Sequence, residues 1–169
     1  MARGAYRSQV GLWSWPILAV LLMGISGGAL AAAPGIAVVV HDPALAAGLD
    51  RASLARIYRR WQRIDTAGRP LVPVNLPADA PLRRAFTQAL FRQSPEDMRG
   101  FWDERYFQGV SPPTVLASPE AVERFVRRTP GALGYLPDCR TPPDLVVALR
   151  LRWPRAAGID PFGLCQEGD

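Results

Sequence analysis

Lysine is missing from this sequence: all 20 of its basic residues are arginine. Without lysine there is no Gly-rich phosphate loop of the kind that runs into Lys followed by Ser or Thr. Histidine occurs once, as His41, and cysteine twice, as Cys139 and Cys165. Two cysteines and one histidine far away in sequence do not supply the ligands of a zinc site, and the H-E-x-x-H motif is absent too. No G-x-S-x-G elbow presents a serine nucleophile. His41 stands beside Asp42 at the end of a predicted strand, where ligands gather in open α/β sheets, but it has no Ser or Cys nucleophile to serve. Catalysis is not expected, and no metal or other cofactor is implied.

Nucleic-acid binding is excluded on the distribution of charge. The formal charge is +5, but an interface with nucleic acid needs basic residues gathered on one face with aromatic rings to stack on bases. Here the arginines fall in every predicted helix, interleaved with Asp50, Asp65, Glu96, Asp103, Glu104, Glu120 and Glu123. Solvated helix faces and a codon habit that replaces Lys with Arg account for them. A hydrophobic fraction of 49% against 21% charged is that of a globular chain and excludes disorder. At 169 residues the chain is sized for one domain.

Acidic residues are missing before Asp42, and no apolar run comfortably reaches the roughly 20 residues that a membrane span needs. What stands at the N-terminus is a short positive head (Arg3, Arg7), an apolar stretch densest from Ile17 to Ile25, and the small-residue run Ala29-Leu30-Ala31-Ala32-Ala33. Those are the three parts of a secretory signal, with cleavage expected after Ala31. The expected organisation is a signal peptide at 1–31 and one domain with a C-terminal tail at 32–169, exported to the periplasm with no stable membrane span. Removing residues 1–31, which carry two arginines and no acid, lowers the formal charge from +5 to +3. Export places Cys139 and Cys165 in an oxidising compartment. A disulfide between them would stabilise the fold by about 3 kcal/mol on the chain-entropy model and pin the tail to the body. Two unpaired thiols are the alternative, because a sequence does not contain the Cα spacing that decides it.

The periodicity of the remaining chain alternates between strand and helix. Ile36–Val40 is a continuous, largely β-branched run, as in a strand covered on both faces. Leu54, Ile57, Tyr58 and Trp61 form a helical stripe behind an Asp50 N-cap, closed by the turn Asp65–Gly68. Leu71–Asn75 is a second strand, with Pro73 placing it near an edge or bulge. A helix begins near Asp79 and Pro81 with Leu82, Phe86 and Leu90 inward. Another follows Ser94 with Met98, Phe101, Trp102 and Tyr106 inward, and Gly109–Pro113 breaks the chain. Ser118 caps a further helix with Val122, Phe125 and Val126 inside, and strands follow at Ala132–Leu136 and Leu145–Leu149. Asp79 and Glu96 read as helix-start carboxylates that offset the positive end of the dipole. Strands separated by helices imply parallel crossovers: an α/β fold with a mostly parallel sheet of about four strands flanked by helices.

Several of these stretches share their order and spacing with one family. Leu54-Ala-Arg-Ile-Tyr58 followed by Trp61 resembles the L-x-x-I-Y/F-x-G-x-x-x-x-W stretch of phosphate-type periplasmic solute-binding proteins. Pro73-Val74 leading to Leu82-Arg-Arg-Ala-Phe86 resembles that family's strand–loop–helix at the ligand. Phe101-Trp102 through Phe107-x-Gly109 follows in the same order. Val126 to Thr129-Pro-Gly-Ala-Leu-Gly-Tyr135 is similar to V-x-x-T-P-G-A-I-G-Y-V, the most specific of the set. The resemblance covers about residues 36 to 149 and is closest to short, single-lobe members described as phosphate ABC transporter substrate-binding-like proteins, of the periplasmic-binding-protein-like superfamily. It implies a single periplasmic-binding-protein-like lobe, non-enzymatic, with a small oxyanion such as phosphate as ligand and an inner-membrane permease or sensor as partner.

The departures matter as much. In the family an Arg and a Ser-Gly-Thr at the start of the helix after the second strand hold the anion with NH and OH donors and the helix dipole. Laid on this chain, the Arg falls on Leu76 and Ser-Gly-Thr on Ala80-Pro81-Leu82. Pro81 removes a backbone donor, and Asp79 adds a negative charge at the entrance. No ligand residue is carried over by identity. The candidates are the polar residues that remain: Asn75, Asp79, Arg83, Arg84 and, at the end of the first strand, His41. Two functional classes follow: a solute-binding-type protein that takes a small oxyanion weakly for an ABC transport system, or a periplasmic adaptor or sensory interaction module that has lost phosphate binding. The 138 residues left after signal removal suffice for one lobe, so half a site completed by another protein is the expectation.

Overall fold

The computed structural model of the chain describes Met1, residues 35–154 and Cys165. The expected signal peptide and its cleavage position lie outside the described residues, Met1 apart. Five strands form one sheet: β1 (Gly35–Val40), β2 (Val72–Asn75), β3 (Thr114–Val115), β4 (Ala132–Pro137) and β5 (Val146–Arg152), in the order β3-β2-β4-β1-β5. The sheet is mostly but not entirely parallel. β3 and β4 run parallel to β2, whereas β1 is antiparallel to both its neighbours, β4 and β5. Four strands therefore point one way and β1 alone points the other.

The composition of β1 suits its interior place, between β4 and β5. Ile36 to Val40 are all buried, so both faces of the strand are covered and every residue of the run is apolar. The expected sheet had four strands; β3 is the fifth. It is a two-residue bridge that forms directly after Pro113, too short and too proline-flanked for periodicity to mark it. β3 pairs only with Val74 and Asn75, so Pro73 lies where β2 has no strand on that side and its missing N–H costs little.

The α-helices with described bounds are α1 (Pro43–Ala47), α2 (Arg51–Tyr58), α3 (Pro81–Phe91), α4 (Arg99–Phe107) and α5 (Pro119–Arg128). α1 has no counterpart in the sequence reading; the Asp42 side chain accepts from Ala44 N at 2.8 Å and starts it. Asp50 caps α2 through Ser53 N at 2.7 Å, and Ser118 caps α5 through Ala121 N at 3.2 Å, both as expected. Leu54, Ile57, Tyr58, Leu82, Phe86, Leu90, Val122 and Val126 join the β strands in one core.

Two inward assignments are corrected. Trp61 is 57% exposed because α2 ends at Tyr58 and Arg60 turns the chain with a left-handed φ of 60°, taking position 61 off the helical stripe. Its ring instead meets Arg59, whose guanidinium carbon is 5.1 Å from the ring centre. Tyr106 is 68% exposed: α4 buries none of its residues, Phe101 and Trp102 are half-buried, and of that stripe only the preceding Met98 is buried. Ser94 does not open α4 directly. It forms a reciprocal pair with Asp97, Ser94 N to Asp97 Oδ2 at 2.9 Å and Asp97 N to Ser94 Oγ at 3.0 Å, which closes a separate turn before the helix.

Candidate oxyanion site

The loop from Leu76 to Ala80 joins the end of β2 to the start of α3, and four of the five candidate residues gather around it. Asn75 is the last residue of β2 and is 3% exposed. Its position is set by Tyr135 on β4: the tyrosine hydroxyl donates to Asn75 Oδ1 at 3.4 Å and accepts from Leu76 N at 3.1 Å. Phe86 of α3 stacks flat on the Tyr135 ring, with centroids 3.9 Å apart, and Tyr58 tilts against Phe86 at 4.8 Å. An aromatic floor under the strand end thus fixes both the loop and the first turns of α3.

At the helix start Ala80 is the N-cap and no side chain accepts from the first turn. Pro81 has no N–H, so the donors left at this end are the Leu82 and Arg83 amides. Arg83 is half-buried over the aromatic floor; its Nε is buried without a hydrogen-bond partner among the described residues. Burial pushes the hydroxyl of Tyr135 up to about 12, and the Arg83 guanidinium opposes that shift. Tyr58 is raised too, by burial first and by Tyr135 second, with Arg83 again opposing. The charge of Arg83 therefore acts on both buried hydroxyls. Arg84 points outward and lies 3.6 Å from Glu96, an exposed pair. Asp79 is exposed, one residue outside the cap, and does not cap α3 as a helix-start carboxylate would.

Leu76 and Leu82, the positions that stand for donors in the resembled family, are both 2% exposed and face the core. They supply packing, and no donor replaces them.

His41 is separated from the other four. Because β1 runs against its neighbours, its last residues lie where β2 and β4 begin: His41 N donates to Ala132 O at 3.1 Å, and Nδ1 is 3.0 Å from Val126 O. The loop after β2 is at the opposite end of the sheet. His41 lines a cleft of about 400 Å³ with Asp42, Pro43, Arg69, Pro70, Pro130 and Gly131. The cation of that cleft, Arg69, is held by Asp42 and by Asp65, the latter at 2.7 Å. The histidine there ties β1 to α5 and shares no site with Asn75, Asp79, Arg83 and Arg84.

Two solved structures share this architecture. One is described as a phosphate ABC transporter substrate-binding protein with bound phosphate, from Clostridium perfringens; it is 15% identical, with a TM-score of 0.50 over 68% of this chain and 44% of its own. The other, an ABC-type phosphate transport receptor from Vibrio cholerae, is 18% identical at a TM-score of 0.50, over 68% of this chain and 45% of its own. The chain has the fold of a periplasmic-binding-protein-like lobe and spans less than half the length of the structures it matches. At this identity the likeness is one of fold. No protein-family profile matches the sequence. No curated protein matches it either.

The sequence reading missed Tyr58, Tyr135 and Phe86 as organisers of the site. Tyr135 closes the T-P-G-A-L-G-Y segment and Phe86 the L-R-R-A-F segment, the stretches that carry the resemblance, so the signal was present as motif and absent as geometry.

Proposed function

We propose that this chain is an exported, non-enzymatic, solute-binding-type protein that takes a small oxyanion such as phosphate weakly at the β2–α3 end and presents it to an inner-membrane permease or sensor. The observation that carries the reading is the uncapped start of α3 with two arginines in its first turn, one of them with a buried, unpaired Nε. Backbone amides, the helix dipole and guanidinium groups together favour an anion. Binding is weak because Pro81 contributes no donor, Leu76 and Leu82 are turned into the core, and Arg84 already faces Glu96. The N-terminal pattern of the sequence supports export. Among the described residues no helix is long and apolar enough to cross a membrane.

A second reading, an adaptor or sensory module without phosphate binding, draws on the burial of Leu76 and Leu82. Calorimetric titration with inorganic phosphate separates the two. The first expects a dissociation constant of about 1 mM, worth about 4 kcal/mol, weakened further by Arg83→Ala and to a lesser degree by Arg84→Ala. A micromolar constant overturns the weak-site reading, and no binding at all favours the adaptor.

A further inference from the structure

A larger groove lies at the other end of β2, beside the start of β3, and its charge is unbalanced. It encloses about 600 Å³, within the range of small-molecule sites, between the segment around Arg60 and Arg63 and the loop Gly109–Thr114. Leu71, Pro73, Val110 and Pro113 form its apolar wall, and no carboxylate lines it.

Arg60 is placed there at a cost. It follows the C-terminus of α2 with φ 60°, the left-handed position that helices usually end on with glycine. A side chain in that region is strained by an amount on the order of a kilocalorie per mole, and such strain persists where the surroundings hold it. The half-buried guanidinium is tethered at a single point, Nη1 to Leu71 O at 3.1 Å, which leaves the rest of its fork unused. Arg63 follows, its Nε 3.4 Å from Arg60 O. Burial and the like charge of Arg63 both lower the pKa of Arg60, and no carboxylate raises it. Neither arginine is among those that form a salt bridge with a carboxylate among the described residues, which are Arg69, Arg84, Arg127, Arg140 and Arg150. Most of the other arginines share that condition, and what sets Arg60 and Arg63 apart is that both line one groove. Across the groove the hydroxyls of Ser111 and Thr114 make no hydrogen bond among the described residues.

We propose that this groove binds an organic anion, its carboxylate or phosphate-ester head held by Arg60 and Arg63 and its apolar body against Leu71, Pro73 and Pro113. Two guanidinium forks match a planar or tetrahedral oxyanion, and the hydroxyls opposite supply further donors. A bare inorganic ion would leave the apolar wall uncovered, so the groove prefers an anion with a hydrocarbon part. The site is independent of the β2–α3 end, which lies at the opposite edge of the same strand.

Calorimetric titration of the full chain with phthalate, phenyl phosphate, inorganic phosphate and uncharged benzyl alcohol tests it. Phthalate or phenyl phosphate is expected to bind at least about tenfold more tightly than inorganic phosphate or benzyl alcohol, and which of them wins identifies the head group. Arg63→Ala lowers that affinity by about tenfold or more with an unchanged melting temperature. Arg60→Gly lowers it similarly while raising the melting temperature of the free protein, because glycine relieves the left-handed strain. Arg84→Ala leaves it unchanged, which separates this groove from the oxyanion site proposed above. The proposal is overturned if neither organic anion binds, if Arg63→Ala binds as the parent does, or if Arg84→Ala removes the binding.

Discussion

Tyr135 ties β4 to the end of β2 and to α3: its hydroxyl holds Asn75 and Leu76 in place, and its ring carries Phe86. The hydroxyl is wholly buried, and burial holds its proton up to about 12 against an ordinary value of 10.0. In the unfolded chain the phenol ionises near the ordinary value, so the folded state binds this proton more tightly than the unfolded state does. The stabilisation is complete below about pH 10 and is lost as pH rises from there through about 12. Tyr58 is shifted in the same direction, chiefly by burial. Urea unfolding midpoints should therefore be flat in this respect up to about pH 10 and fall above it. Tyr135→Phe should lose about 1–3 kcal/mol at neutral pH, because the buried Leu76 amide loses its acceptor, and should show a shallower alkaline fall than the parent. An identical alkaline slope in the variant would place the titration elsewhere.

At the scale of elements, the placement of β4 against its neighbours depends on two glycines. Gly131 begins the turn into β4 with φ 74°, and a Cβ there would strike the Pro70 carbonyl oxygen. Gly134 faces Val122 and Val126 of α5, and a Cβ would collide with Val122 Cγ1. Gly134→Ala should cost about 1–3 kcal/mol through overpacking of helix against strand, measured by urea unfolding, with far-ultraviolet dichroism unchanged. These positions also show what was legible in the sequence. The close approach at the glycines of β4, the caps at Asp50 and Ser118 and the inner faces of α3 and α5 could all be read, because each depends on local chemistry or a local period. The direction of β1 could not. A continuous apolar run states that both faces are covered and says nothing of orientation, and the segment between β4 and β5 steps across β1 with only a three-residue 3-10 turn, too short for a helical period to announce it. That one reversal moved His41 to the opposite end of the sheet from Asn75 and Arg83. The fate of Leu76 and Leu82 was hidden for a related reason: alignment names the residue at a position, and only packing decides whether it faces the ligand or the core.

For the whole molecule the described residues make one sheet and one core, so capture of a ligand by closing two bodies on each other is not available within 35–154. Stability has to come from the single core and from its cross-link. Cys139 and Cys165 are bonded, with Cα atoms 5.9 Å apart and a sequence separation of 26. Cys139 sits in the 3-10 turn Asp138–Arg140 that follows β4. Three strand ends meet at that turn: Pro137 of β4 pairs with Ile36, Gly35 of β1 pairs with Arg152, and Arg150 of β5 reaches Asp138 at 2.9 Å. The bridged segment contains all of β5, a strand that lies at one end of the sheet order and is held in it by β1. Cross-linking it removes freedom from the unfolded chain where the folded sheet has least redundancy. The Cys139→Ser, Cys165→Ser double variant should lose about 3 kcal/mol and melt on the order of 10 °C lower, and reductant should bring the parent to the same value. Amides of β5 should gain exchange rate ahead of those in β2 and β4, since an edge strand released at its far end opens before the interior ladders do. Equal melting of oxidised and reduced protein would mean that β5 is held by its ladder to β1 alone.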